Sequence, residues 1–284
     1  SLYGVRIQDF QILEGNERRQ PWLRDFKAER KSTWDFWVRY KQYLSEQKGF
    51  APLVIQKLDE MTDRILDNLF NPQSTNITID KKGLVVGQVQ SGKTANYTGL
   101  ICKAADAGFN FIVVLAGILN NLRSQTQSRI DEGFLGFDTQ YERAYNINNT
   151  TKIGVGLIPG FDSAIANSYT TSLDYGDFNS RAANTAGFNF NAPQPIILVV
   201  KKNAAVLKRL NTWLKAQAGG HKIANKSLLL IDDEADNASI NTKKDKDLDP
   251  TAINKGIRTL IGQFNRSAYV GYTATPFANI FIAQ

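Results

Sequence analysis

The sequence holds one cysteine, Cys102, and one histidine, His221, among its 284 residues. A single cysteine excludes an internal disulfide, and with one histidine it cannot complete a zinc site of the usual Cys/His kind. Cytosolic placement follows from that cysteine usage. Cys102 lies in an apolar helical pattern and reads as a small buried hydrophobe. His221, after Gly219-Gly220, reads as a loop residue, and neither is a candidate for catalysis. Also missing is any apolar run near the ~20 residues that cross a bilayer, and no signal-peptide pattern opens the chain, so a soluble cytoplasmic protein is expected. The start at Ser1 and the end within the apolar run around Ile280-Phe281-Ile282 read as cuts in a longer protein.

Acidic residues are the scarcer charge: Lys plus Arg number 34 against 27 Asp plus Glu, a net +7. That balance favours a polyanionic partner such as nucleic acid over a neutral surface. The length suffices for one large domain or two modest ones.

Two regimes of hydrophobic spacing divide the chain. Over residues 20–70, Trp34, Trp37, Tyr40 and Leu44, then Ile55, Leu58, Met61, Ile65 and Leu69, recur at helical intervals and read as core-facing stripes. Residues 1–75 are therefore expected to form a helical N-terminal segment, closed by Asn71-Pro72. From Gly83 onward, short apolar runs at 84–86, 111–116, 196–200, 228–231 and 268–272 alternate with helical patterns at 94–107, 122–130, 204–216 and 251–264. This predicts an α/β lobe over 76–284 with a mostly parallel central sheet. Asp249 and Pro250 are a cap and first-turn pair for the last helix. Residues about 159–195, rich in Ser, Thr, Asn, Ala and Gly, fit neither spacing and read as a long insertion or partly mobile loop.

Within that lobe, G-Q-V-Q-S-G-K-T (Gly87, Gln88, Val89, Gln90, Ser91, Gly92, Lys93, Thr94) follows a strand and opens a helix. Such a loop curls so that backbone N–H groups meet phosphate oxygens, with the helix N-terminus adding its dipole. Lys93 is suited to neutralise the outer phosphates and the Thr94 hydroxyl to ligate Mg²⁺, so ATP with Mg²⁺ is the expected ligand pair. About 140 residues on, L-L-L-I-D-D-E-A-D ends an apolar strand in acids at the carboxyl edge of the sheet, where ligands of open α/β folds bind. Asp232 and Asp233 are both candidate metal ligands. Asp233 is preferred, partly through water, with Glu234 as the base that deprotonates the attacking water. A third element, Y-T-A-T-P after the strand at 268–272, supplies Thr273 and Thr275 as hydroxyls that could couple the acidic site to neighbouring parts. The pattern Asp25…Glu29-x-Lys31 reads as a solvated charge run rather than a nuclease metal site.

The order loop, acid, T-A-T resembles that of superfamily 2 helicases and translocases. More closely, G-L-V-V-G-Q-V-Q-S-G-K-T-A-N-Y-T-G-L, V-L-A-G-I-L-N-N-L-R-S-Q-T-Q-S-R-I-D-E-G-F, L-L-I-D-D-E-A-D-N-A-S-I-N-T and G-Y-T-A-T-P-F-A-N-I resemble the Z-one domain proteins, over about residues 34–284. That bacterial family carries the label of putative endonucleases and is met beside DNA methyltransferase, MutL-type ATPase and restriction genes. The resemblance implies a RecA-like ATPase lobe, an ATP-driven motor or gate in a restriction or phage-defence system, and methyltransferase, MutL-type or nuclease partners. It also implies a second RecA-like lobe, absent from this chain, that brings the arginine stabilising the γ-phosphate in the transition state. Alternatives are a nucleotide-dependent interaction module that recruits a separate nuclease, and an endonuclease as the family label suggests.

The segment N-N-L-R-S-Q-T-Q (120–127) follows the strand at 111–116 and begins a helix. Its amides, hydroxyls and arginine suit sequence-independent contacts to a DNA backbone, for which Asn121, Arg123 and Gln127 are the candidates.

Overall fold

Apolar runs separated by amphipathic segments predict a parallel sheet, and the computed structural model has one. It describes residues 11–13, 21–29, 32–74, 77–86, 92–141, 151–233, 235 and 248–273. The chain order is β1 (Gln11–Leu13), α1 (Leu23–Ala28), α2 (Asp35–Glu46), α3 (Pro52–Asn68), β2 (Ile79–Val86), α4 (Lys93–Ala107), β3 (Phe111–Ala116) and α5 (Asn120–Ile130). There follow β4 (Asn167–Ser168), α6 (Ser180–Thr185), β5 (Ile196–Lys201), α7 (Ala204–Gln217), β6 (Ile223–Asp233), α8 (Pro250–Gly262) and β7 (Phe264–Thr273). The strands lie in the order β1-β2-β7-β6-β3-β5-β4. All neighbours are parallel except β1, which runs antiparallel to β2 at one edge.

Side chains alternate across a strand, so each strand feeds two cores. Ile112, Val114, Leu229, Ile231, Val270 and Tyr272 face the helices α1 to α4. Phe111, Val113, Leu115, Leu228, Leu230 and Tyr269 face α7 and α8. The last helix begins as the sequence indicates, with the Asp249 side chain accepting from the Thr251 amide and Pro250 in the first turn.

The N-terminal helices are one layer of this same structure. Helix α4 lies between the sheet and the pair α2–α3, and eleven of its fifteen residues are buried. Lys103 of α4, fully buried, reaches Asp59 and Asp63 of α3 at 2.5 and 2.6 Å and stands 4.4 Å over the Trp37 ring of α2. Neither α1 nor α2 has a capping side chain of its own. Instead the Asp67 carboxylate of α3 accepts from the amides of Trp22 and Leu23, and Asp106 of α4 accepts from those of Phe36 and Trp37. The expected segment over 1–75 thus shares its core with the lobe that follows, and it includes a strand, β1, that the helical spacing did not announce.

The stretch at about 159–195, expected as a long insertion or partly mobile loop, lies between α5 and β5 and packs against the sheet and its helices. β4 extends the sheet beside β5, and Tyr169, Phe178 and Ala183 enter the α7–α8 core.

Candidate functional site

Of the phosphate-loop residues, Gly87, Gln88, Val89, Gln90 and Ser91 lie outside the described residues, as do Glu234 and Thr275. Their frame is described. β2 ends at Val86, paired in register with Thr273 at the end of β7. On the far side of the loop Gly92 takes φ 73°, a left-handed conformation that suits glycine, and its carbonyl accepts from the Asn96 amide to start α4. Lys93 and Thr94 are the first two residues of that helix, so both stand where the helix dipole favours an anion.

One strand beyond β7, β6 brings in the acids, and the alternation that builds the two cores also separates them. Asp232 falls on the α7–α8 side. There it is buried, with both carboxylate oxygens on Lys202 Nζ at 2.9 and 3.0 Å and one accepting from the Tyr269 hydroxyl at 2.8 Å. Burial, and then the Asp232 charge, push the Tyr269 phenol far above its ordinary pKa, so it remains a donor. Asp233 falls on the opposite side, that of α4, in register with Tyr272. The choice left open between the two acids therefore has a structural asymmetry: Asp232 is held by an internal cation, whereas Asp233 is on the face that carries Lys93 and Thr94.

Tyr97 ties that face together. It is one turn into α4, fully buried, with its ring edge-on to Tyr272 at 5.7 Å between centroids. Burial and next the Asp233 charge raise its pKa well above the phenol range, against the opposing pulls of Thr94, Arg129 and Thr126. Those groups share one neighbourhood, and Tyr272 closes it by donating to Asn96 Oδ1 at 2.8 Å. Thr273, the described half of the hydroxyl pair, is buried at the end of β7 between the strand of the loop and the strand of the acids.

Arg129 was not among the residues singled out from sequence. From the last turn of α5 its exposed guanidinium donates to Thr94 Oγ1 at 3.1 Å. A second cation beside Lys93 thus sits at the start of α4, and it engages the hydroxyl expected to ligate Mg²⁺. Thirty-five residues separate Arg129 from Thr94, and no local sequence signal joins them.

The nucleic-acid contacts expected of α5 need correction. Arg123 and Gln127 are fully buried. The Arg123 guanidinium donates to the carbonyls of Thr171, at 2.9 Å, and Leu173. Gln127 donates to Asp131 Oδ1 at 2.9 Å and accepts from the Thr170 hydroxyl at 2.7 Å. Both hold the inserted segment to the helix and offer no surface to a phosphate backbone. Asn121 is exposed, with its side-chain oxygen accepting from the adjoining Leu122 amide. Arg123→Ala is accordingly expected to destabilise the fold by about 2–4 kcal/mol, since two inward carbonyls lose a charged donor. Denaturant unfolding reads this directly, and a wild-type midpoint would mean that the guanidinium contributes nothing there.

Asp25 and Glu29 are exposed on and just after α1, consistent with a solvated charge run. No family model matches this chain, and no curated protein matches it.

Proposed function

We propose that the chain is a RecA-like ATP-binding and hydrolysing lobe of a DNA-dependent ATPase or translocase. The observation that carries this reading is the convergence of Lys93, Thr94 and Asp233 on one face of the carboxyl edge of the sheet, with Asp232 drawn away to Lys202 on the other. The strand order supports it too, because β7, bearing Thr273, separates the strand of the loop from the strand of the acids and so can sense both.

The donor set fits Mg²⁺. One hydroxyl, Thr94, and one carboxylate, Asp233, leave the remaining octahedral positions to water and phosphate oxygens, the usual arrangement for this ion at nucleotide sites. Thr94 and Asp233 would hold Mg²⁺, which when bound would supply positive charge that offsets the charge of the phosphates. The chain's own residues supply the rest: α4 points its first amides outward, Lys93 neutralises the outer phosphates, and Glu234 takes the proton of the attacking water. Arg129 donates to the same Thr94 oxygen that would serve the metal, so its cation competes there for one of the two lone pairs. The motif resemblance to the Z-one domain proteins suggests a restriction or phage-defence setting, with a methyltransferase, MutL-type ATPase or nuclease nearby.

The test is Mg-ATP binding by wild type and Lys93→Ala, followed by ATP turnover with and without DNA. Loss of one charge-assisted phosphate contact weakens binding about 10- to 100-fold. Equal affinity would refute the phosphate site. This chain alone is expected to turn ATP over barely, because the arginine that the resemblance places on a second lobe is worth about 10³–10⁵ in rate; binding without turnover under every nucleic-acid condition by a protein that also carries that lobe would favour the interaction-module alternative.

A further inference from the structure

The positive charge of the chain is not spread evenly. Residues 178–231 and 250–273 contain no Asp or Glu and hold 11 of the 34 Lys and Arg. The rest of the chain has 23 bases against 27 acids, so the whole surplus of +7 comes from these two stretches. They fold into adjacent elements, α6 through β6 and then α8 with β7.

Helices α7 and α8 lie side by side on the sheet face opposite α4. Gly256 lets them approach: a Cβ there would stand 2.9 Å from Leu207 Cβ, and the Gly256 carbonyl accepts from Asn211 Nδ2 at 2.9 Å. Along their outer side runs a groove of about 780 Å³ lined by Lys208, Lys215, Lys222 and Lys255, with no carboxylate in its wall among the described residues. All four lysines are exposed, and none has a carboxylate partner among the described residues. Lys208 and Lys215 are two helical turns apart, so about 10 Å separates them along one side of α7, with Lys255 across the groove on α8.

We infer that the α7–α8 groove is a nucleic-acid backbone site. Four ammonium groups, two on α7, one on α8 and Lys222 in the loop after α7, suit a row of phosphates better than a single small anion, whose charge only one or two of them could reach. Among the described residues the wall has no Trp, Tyr or Phe ring to anchor a peptide in a protein interface, and small residues such as Ala204, Ala252 and Gly262 leave room beside the lysines for a strand. The lysines contact phosphate charge, so the binding they supply is independent of sequence. This inference rests on the nucleic-acid part of the proposed function and replaces Arg123 and Gln127 as its contact surface; it does not involve the ATP site on the other face.

The experiment uses the whole chain and a fluorescein-labelled single strand of about 20 nucleotides, titrated across roughly 50–200 mM salt. The triple variant Lys208→Glu, Lys215→Glu, Lys255→Glu is expected to bind at least tenfold more weakly at low salt, with a log–log salt slope flatter by about two units. Lys→Gln at the same three positions should show the same flattening without charge reversal, and thermal melting and Mg-ATP binding should stay at wild-type levels in both. A wild-type slope in both variants overturns the groove while leaving the ATP reading and DNA binding elsewhere intact. No DNA binding by the wild type overturns the groove and the nucleic-acid part of the function together. Polyglutamate competing as well as DNA, charge for charge, would make the occupant an acidic polypeptide and would also overturn the inference.

Discussion

In a protein that also carries the second lobe implied by the motif resemblance, Glu234→Gln is expected to bind Mg-ATP with wild-type affinity and to hydrolyse it at least a hundredfold more slowly. The amide keeps the shape and hydrogen-bonding reach of the carboxylate but cannot take a proton, and a positioned base is worth about 10²–10⁴ in rate. Asp233→Asn is the companion. It keeps Glu234, and its expected signature is different: ATP affinity that no longer rises when Mg²⁺ is added, because the carboxylate on the α4 face is gone. Nucleotide titrations with and without Mg²⁺, together with single-turnover hydrolysis, separate the two roles. Hydrolysis at the wild-type rate by Glu234→Gln would move the base to Asp233 or Asp236.

Asp232→Ala is expected to be among the most damaging single changes to stability. Lys202 and Asp232 are both almost wholly excluded from solvent, at 2.9 Å, and the Tyr269 hydroxyl donates to the same carboxylate. Removing one partner of such a pair costs about 3–5 kcal/mol, because the remaining ammonium loses the carboxylate that faces it. The pair as a whole contributes far less, since both charges were taken out of water to form it. Lys202→Met with Asp232→Leu should therefore recover most of the loss that Asp232→Ala inflicts. Denaturant melts of the single and double variants measure the coupling, and a single variant as stable as wild type would deny the ion pair any weight.

What could be read from the sequence follows from where its side chains lie. β3 and β5 are buried along nearly their full length, so each appears as an unbroken apolar run, found at 111–116 and 196–200. The first half of β2 was missed because Asp80, Lys81 and Lys82 sit in a half-exposed strand whose composition reads as a loop. β1 has three residues, too short for any periodicity. Helix α5 misled for a different reason. It has almost no apolar stripe, since its buried positions are Arg123, Thr126, Gln127 and Ile130, so polarity could not tell its inner side from its outer. The polar side assigned to DNA is the side that fastens the segment read as a long insertion or partly mobile loop. Asp232 and Asp233 could be told apart only by knowing which sheet face α4 covers, and both faces are equally apolar in sequence.

The capping of α2 by Asp106 gives the N-terminal layer a mechanical meaning. Asp106 is in the last turn of α4, and Lys93 and Thr94 are its first two residues, so the carboxylate that secures α2 and the side chains proposed to meet phosphate are opposite ends of one fifteen-residue rod about 22 Å long. Lys103, clamped by two aspartates of α3, grips the same rod near its middle. A displacement of the outer helices is therefore carried along α4 to the end that begins with Lys93 and Thr94.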